Sequence, residues 1–145
     1  MAVAFNKFNL FTDDLCKAVM NLNTDIIKCA LFNAAPIATN HVYSDLTSEV
    51  ASGNGYTTGG KVSGTDFTWS VSNSTGTESL NCTAATWTSV TASMGPFQYI
   101  VYYDSTPATK TLIGWYNYGS AITLNGANGD TFTITPSGNV LATIA

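Results

Sequence analysis

Beyond residue 66, large apolar side chains alternate with hydroxyl-bearing ones. Phe67-Thr68-Trp69-Ser70-Val71 sends three bulky groups to one face and two hydroxyls to the other, the period-2 pattern of a half-buried strand. The stretch Cys82 to Val90 repeats the pattern around Trp87, after a polar turn at Asn73 to Thr77. Phe97 to Tyr103 carries β-formers on both faces and is the strongest strand signal in the chain. Leu112 to Tyr118 predicts another strand, broken at Gly119-Ser120, and Ala121 to Leu124 a short one. Thr131 to Thr135 and Val140 to Ile144 close the series, with glycine and proline turns between. Upstream, Asp25 to Phe32 is a nearly continuous apolar run that reads as a buried strand. The region Thr39 to Val50 predicts a short helical turn or ordered loop around Ser44-Asp45-Leu46.

The first segment follows a different period. Phe8, Phe11, Leu15, Val19 and Leu22 recur at three- and four-residue steps, which predicts a helix from about Asn6 to Met20. Thr12-Asp13-Asp14 places acids in its first turn, where they favour the helix dipole. The expected fold is therefore mainly β: an antiparallel β-sandwich or barrel with one N-terminal helix. No linker or internal repeat divides it, so residues 1–145 form one domain with a helix or arm over about 1–24.

Composition narrows the function. Only 10% of residues are charged, and the formal net charge is −4. The chain has no arginine, and its five lysines (Lys7, Lys17, Lys28, Lys61, Lys110) are scattered. Nucleic-acid binding needs clustered cations to neutralise phosphates, so no nucleic-acid partner is expected. No run of about 18 apolar residues predicts a membrane span, and the N-terminus lacks the basic-then-apolar pattern of a secretory leader. A cytoplasmic product is expected, with Cys16, Cys29 and Cys82 as small buried hydrophobes rather than a disulfide or zinc set.

Catalytic chemistry finds little support. His41 is the single histidine, no nucleophile elbow occurs, and the glycines of Ser52 to Gly60 are not followed by the Lys-Ser/Thr of a phosphate loop. Asp45 and Glu49 lie four apart, but a capping or solvated pair explains them. The loop Asn125 to Asp130 is rich in oxygen but offers one carboxylate, thin for a calcium ion. The reading is a non-enzyme with no catalytic residues, metal or cofactor. Aromatic residues are the remaining signal. Trp115, Tyr116 and Tyr118 crowd one strand, and outward-facing members of that set suit a sugar- or protein-binding surface.

Several segments are similar to a known group. They are Phe5-Asn6-Lys7-Phe8-Asn9-x-Phe11-x-x-Asp14-Leu15, Leu31 to Asn40, Gly53-Asn54-Gly55-Tyr56-Thr57-x-Gly59-Gly60, Gly95 to Tyr99 and Leu112 to Ser120. Together they resemble small structural proteins of tailed bacteriophages. The resemblance implies a virion component assembled in the host cytoplasm. A head decoration or cement protein is its first implication: an oligomer, with a trimer favoured, bound to the major capsid protein on the capsid surface. The alternatives are a tail-tube, tail-terminator or baseplate subunit, or a carbohydrate-binding β module centred on Trp115. Within the decoration reading, Phe5, Phe8 and Phe11 of the arm, and Pro36 and Ile37 of the loop Asn33 to Asn40, are the expected docking residues. They place apolar groups outside a regular strand pattern.

Overall fold

A computed structural model describes residues 4–144. It is mainly β, with antiparallel strand pairing throughout its sheets and a single α-helix among the described residues. The strands are β1 (Phe5–Lys7), β2 (Ile27–Phe32), β3 (Lys61–Val62), β4 (Trp69–Ser74), β5 (Thr77–Cys82), β6 (Ala85–Thr88), β7 (Met94–Asp104), β8 (Leu112–Leu124), β9 (Thr131–Ile134) and β10 (Val140–Ile144). The helix, α1, spans Phe11–Cys16. A five-stranded sheet in the order β1-β8-β7-β2-β3 faces a three-stranded sheet, β10-β5-β4, and a two-stranded one, β6-β9.

The facing sheets make the sandwich core. Ile27, Cys29 and Leu31 of β2 and Ile100 and Tyr102 of β7 point inward. They meet Leu80 and Cys82 of β5, Trp87 of β6, Phe132 of β9 and Leu141 of β10. The opposite face of the large sheet is buried as well. Ala30, Phe32, Val101, Tyr103 and Leu112 form a second cluster there, covered by Tyr43 and Leu46. The cover is the segment 41–50. His41 accepts a backbone hydrogen bond from Leu112 at the start of β8, and Val50 donates one to Leu31 in β2, so the segment straps across the sheet. A short 3₁₀ turn at Tyr43–Asp45 sits in its middle, where the sequence suggested a helical turn. Burial on both faces explains why β2 reads as continuous rather than alternating.

The N-terminal helix is shorter than its periodicity predicts. Phe5–Lys7 pair with Gly114–Tyr116 of β8, and only Phe11–Cys16 are helical. Ala18 adopts φ 56°, which ends any continuation. Phe8 belongs to the outer cluster and Phe11 to the sandwich core, while Val19 is exposed. The three- and four-residue spacing was thus satisfied by two different surfaces. Strand pairing is possible because β8 carries Gly114: a Cβ there would collide with the Phe5 ring and the Asn6 carbonyl, so glycine is what lets β1 approach. Gly60 plays the same part beside β2, where its φ of 75° and the closeness of the Cys29 carbonyl both exclude a side chain.

Two further differences are local. β8 runs unbroken through Gly119 to Leu124, because φ 97° at that glycine bends the strand without ending it. The cysteines are all free; Cys29 and Cys82 are buried as expected, whereas Cys16 at the end of α1 is exposed. Among the described residues, no helix is long and apolar enough to cross a membrane.

Candidate functional site

The structure separates the five expected docking residues. Phe8 is fully buried against Trp115, with ring centroids 4.5 Å apart. Phe11 is buried in the sandwich core, and Phe5 packs on Tyr116 at 5.2 Å. Pro36 is buried. Ile37 is 60% exposed, and it alone of the five stands free of the core. Arm aromatics are therefore fold-forming, because pairing of β1 with β8 turns them onto the sheet. Residues 1–3 of the expected arm lie outside the described residues.

Ile37 has a neighbour that periodicity did not flag. Leu10 lies just before α1 and is 40% exposed. The Asn9 amide donates to the Ala38 carbonyl at 2.9 Å, which ties the backbone next to Leu10 to the backbone next to Ile37 and makes one shoulder of the two segments. Asn40 closes a tight turn on Ile37, donating its amide to the Ile37 carbonyl and accepting the Ile37 amide at its side-chain oxygen, both at 2.9 Å. The next residue, His41, meets the buried carboxylate of Asp14 in α1 through Nε2 at 2.8 Å. Asp45 Oδ2 accepts the His41 and Val42 amides, and those hydrogen bonds hold its carboxyl below the usual carboxylate range. A sequence signal for Leu10 exists: it is the apolar residue that falls off the Phe8–Phe11–Leu15 stripe.

The clasp yields a prediction. Replacing His41 with alanine leaves the Asp14 carboxylate buried without its side-chain partner. The expected loss is about 1–3 kcal/mol, measured by urea unfolding. The Asp14→Asn, His41→Ala double variant should recover part of it, since no charge is then stranded.

Glu49, four residues beyond Asp45, is also structural. Its Oε1 accepts the Tyr56 hydroxyl at 2.8 Å and the Gly59 amide at 2.6 Å. Tyr56 in turn accepts the Leu31 amide, and the Tyr103 hydroxyl donates to the Gly59 carbonyl. Burial, reinforced by Glu49, pushes the Tyr56 hydroxyl far above its ordinary range, so it stays protonated as a donor. This network fixes the glycine-rich connector 52–60 to the edge of β2. In the loop Asn125 to Asp130 the single carboxylate caps its own backbone: Asp130 Oδ2 accepts the Asn125 amide. No cluster of three or more His, Cys, Asp or Glu with metal-binding geometry occurs among the described residues.

The strand aromatics divide as well. Trp115 is half-buried over Phe8, and Tyr116 is buried beneath Phe5, so neither forms the outward platform that sequence suggested. Tyr118 is 49% exposed. It stands over a cleft of about 500 Å³ between β8, β9 and the C-terminal strand. A second cleft, of about 470 Å³, opens between the turn after α1 and the three-stranded sheet, with Met20, Leu22, Val71 and Leu80 in its wall.

No family model, curated protein or solved structure matches this chain.

Proposed function

We propose that this protein is a non-enzymatic virion component of a tailed bacteriophage, a head decoration protein that binds the major capsid protein and braces the shell. The Leu10–Ile37 shoulder carries the reading. It presents two large apolar side chains to solvent on a backbone stitched to α1 and to the start of β8. Exposed apolar groups on a rigid support suit a permanent partner, because little conformational entropy is lost on docking. The sequence likeness to small phage structural proteins supplies the setting. In that setting, many modest contacts repeated around a symmetric shell add up to a large stabilisation. A trimer is the favoured oligomer, and the protein acts on the capsid surface after assembly in the host cytoplasm.

Attachment should then rest on apolar contact rather than charge. The chain has five lysines and nine acids to contribute to ion pairs. Exposed ion pairs are worth ~0–1 kcal/mol and weaken in salt, while apolar burial gives ~25 cal/mol per Å² and persists. Protein bound to capsids should remain bound through molar salt. Leu10→Asp and Ile37→Asp should each weaken capsid binding by about tenfold to a hundredfold, the effect of losing one buried aliphatic side chain, while the melting temperature stays nearly constant. Release by moderate salt, or full binding by both variants, would contradict the proposal.

A further inference from the structure

The cleft beside Tyr118 has a composition that the docking shoulder lacks. Phe5, Tyr116 and Phe132 line the cleft together with the aliphatic Ile134, Val140 and Leu141. Tyr118 also lines it, edge-on to Phe132 at 5.8 Å between ring centroids and 81° between planes, with about half its surface open to solvent. Thr135 and Ser137, both exposed, place hydroxyls along the rim. None of the described lining residues is charged. The volume of about 500 Å³ falls within the ~300–1,000 Å³ common to small-ligand sites.

We infer that this cleft binds a neutral carbohydrate, one or two pyranose rings in extent. A pyranose has an apolar C–H face and a rim of hydroxyls, and the cleft offers the complement of each. The Tyr118 ring and the apolar lining beside it receive the C–H face, as amphipathic aromatic side chains do where one side is dry and the other wet. Serine and threonine hydroxyls both donate and accept, so they match sugar hydroxyls without a charge being desolvated. An acidic sugar would find no cation among the cleft's described residues, and a purely aliphatic ligand would leave the Thr and Ser hydroxyls without a role. The site is separate from the Leu10–Ile37 shoulder, so capsid attachment and sugar binding can be tested independently.

The test uses the full chain with maltose, cellobiose, lactose and N,N′-diacetylchitobiose as probes, read by saturation-transfer NMR and calorimetry. At least one should bind with a Kd of about 0.1–1 mM. Tyr118→Ala should weaken that binding about tenfold, the scale of one lost aromatic contact, and Ser137→Ala by a smaller factor. Ile37→Asp should leave it unchanged. No binding by any of the four sugars at about 10 mM would overturn the inference. So would binding that Tyr118→Ala does not affect, or a cleft that takes up 1-octanol and none of the sugars.

Discussion

Replacing Phe8 with alanine should lower the unfolding free energy by about 3–5 kcal/mol and the melting temperature by roughly 10–20 °C. Phe8 is fully buried, stacked on Trp115, and packed with Ala30, Phe32, Val101, Tyr103 and Leu112 on the outer face of the large sheet. Its amide donates to the Ile113 carbonyl at 3.2 Å, continuing the β1–β8 pairing by one residue. Truncating a large aromatic in such a site removes its transfer free energy and leaves a cavity that the two surrounding strands cannot fill. Domains of this size are typically stable by 5–15 kcal/mol, so the variant should be marginal, and loss of the whole Phe5–Phe8 segment should unfold the protein. An N-terminal segment that served only as a detachable anchor would behave differently. If Phe8→Ala unfolds in urea within about 1 kcal/mol of the parent, the arm is peripheral to the fold.

Stability should fall as pH rises from about 4 to 7, and Asp104 should account for a large part of the fall. Asp104 ends β7 with no exposed surface. Its Oδ1 accepts the Thr106 amide, while Oδ2 has no hydrogen-bond partner among the described residues. Burial above all, opposed by the Thr106 amide and reinforced by the adjacent Asp25 carboxyl, raises its pKa from 3.8 to about 7. A raised acid is protonated in the folded state at pH values where the unfolded chain has already released the proton. The folded state therefore binds more protons between pH 4 and 7, and its stability declines with rising pH across that window. A shift of this size is worth on the order of 2–4 kcal/mol, complete above pH 7. Asp104→Asn mimics the protonated side chain. It should match the parent near pH 4, exceed it at pH 8, and show a flatter profile between. Equal pH profiles for the two proteins would show that Asp104 ionises freely in the fold.

Most strands were legible because their information is local. β7, β9 and β10 lie almost where alternation and turn residues place them, and the buried run Asp25 to Phe32 became β2. The arm was not legible, because Phe5–Lys7 take their conformation from a strand more than a hundred residues away, admitted by the missing side chain at Gly114. The same distance hid the meaning of the tyrosines. With aromatics on both faces of β7 and β8, some had to face outward, but the segment 41–50 straps over that outer face and buries Tyr103 beneath Tyr43 at 4.4 Å. Tyr118 is 49% exposed and lies beyond the Phe5–Tyr116 pair at which β1 begins among the described residues. Asp104 opens the turn-like run Asp104-Ser105-Thr106-Pro107 yet is fully buried, a placement that turn composition does not encode. Of the proposed docking shoulder, Ile37 was readable as a large side chain in the apolar loop Asn33 to Asn40. Leu10 stands off the Phe8–Phe11–Leu15 stripe in the sequence, but its tie to the Ile37 loop comes from the Asn9–Ala38 hydrogen bond, which no sequence pattern encodes.

The most direct test of the decoration role is to image the purified phage particle and count copies of this chain per capsid. The account predicts density on the outer shell in numbers comparable to the major capsid protein, grouped around local symmetry axes, with Leu10 and Ile37 at the contact. A chain confined to the tail or baseplate in a few copies, or absent from the particle, would contradict it.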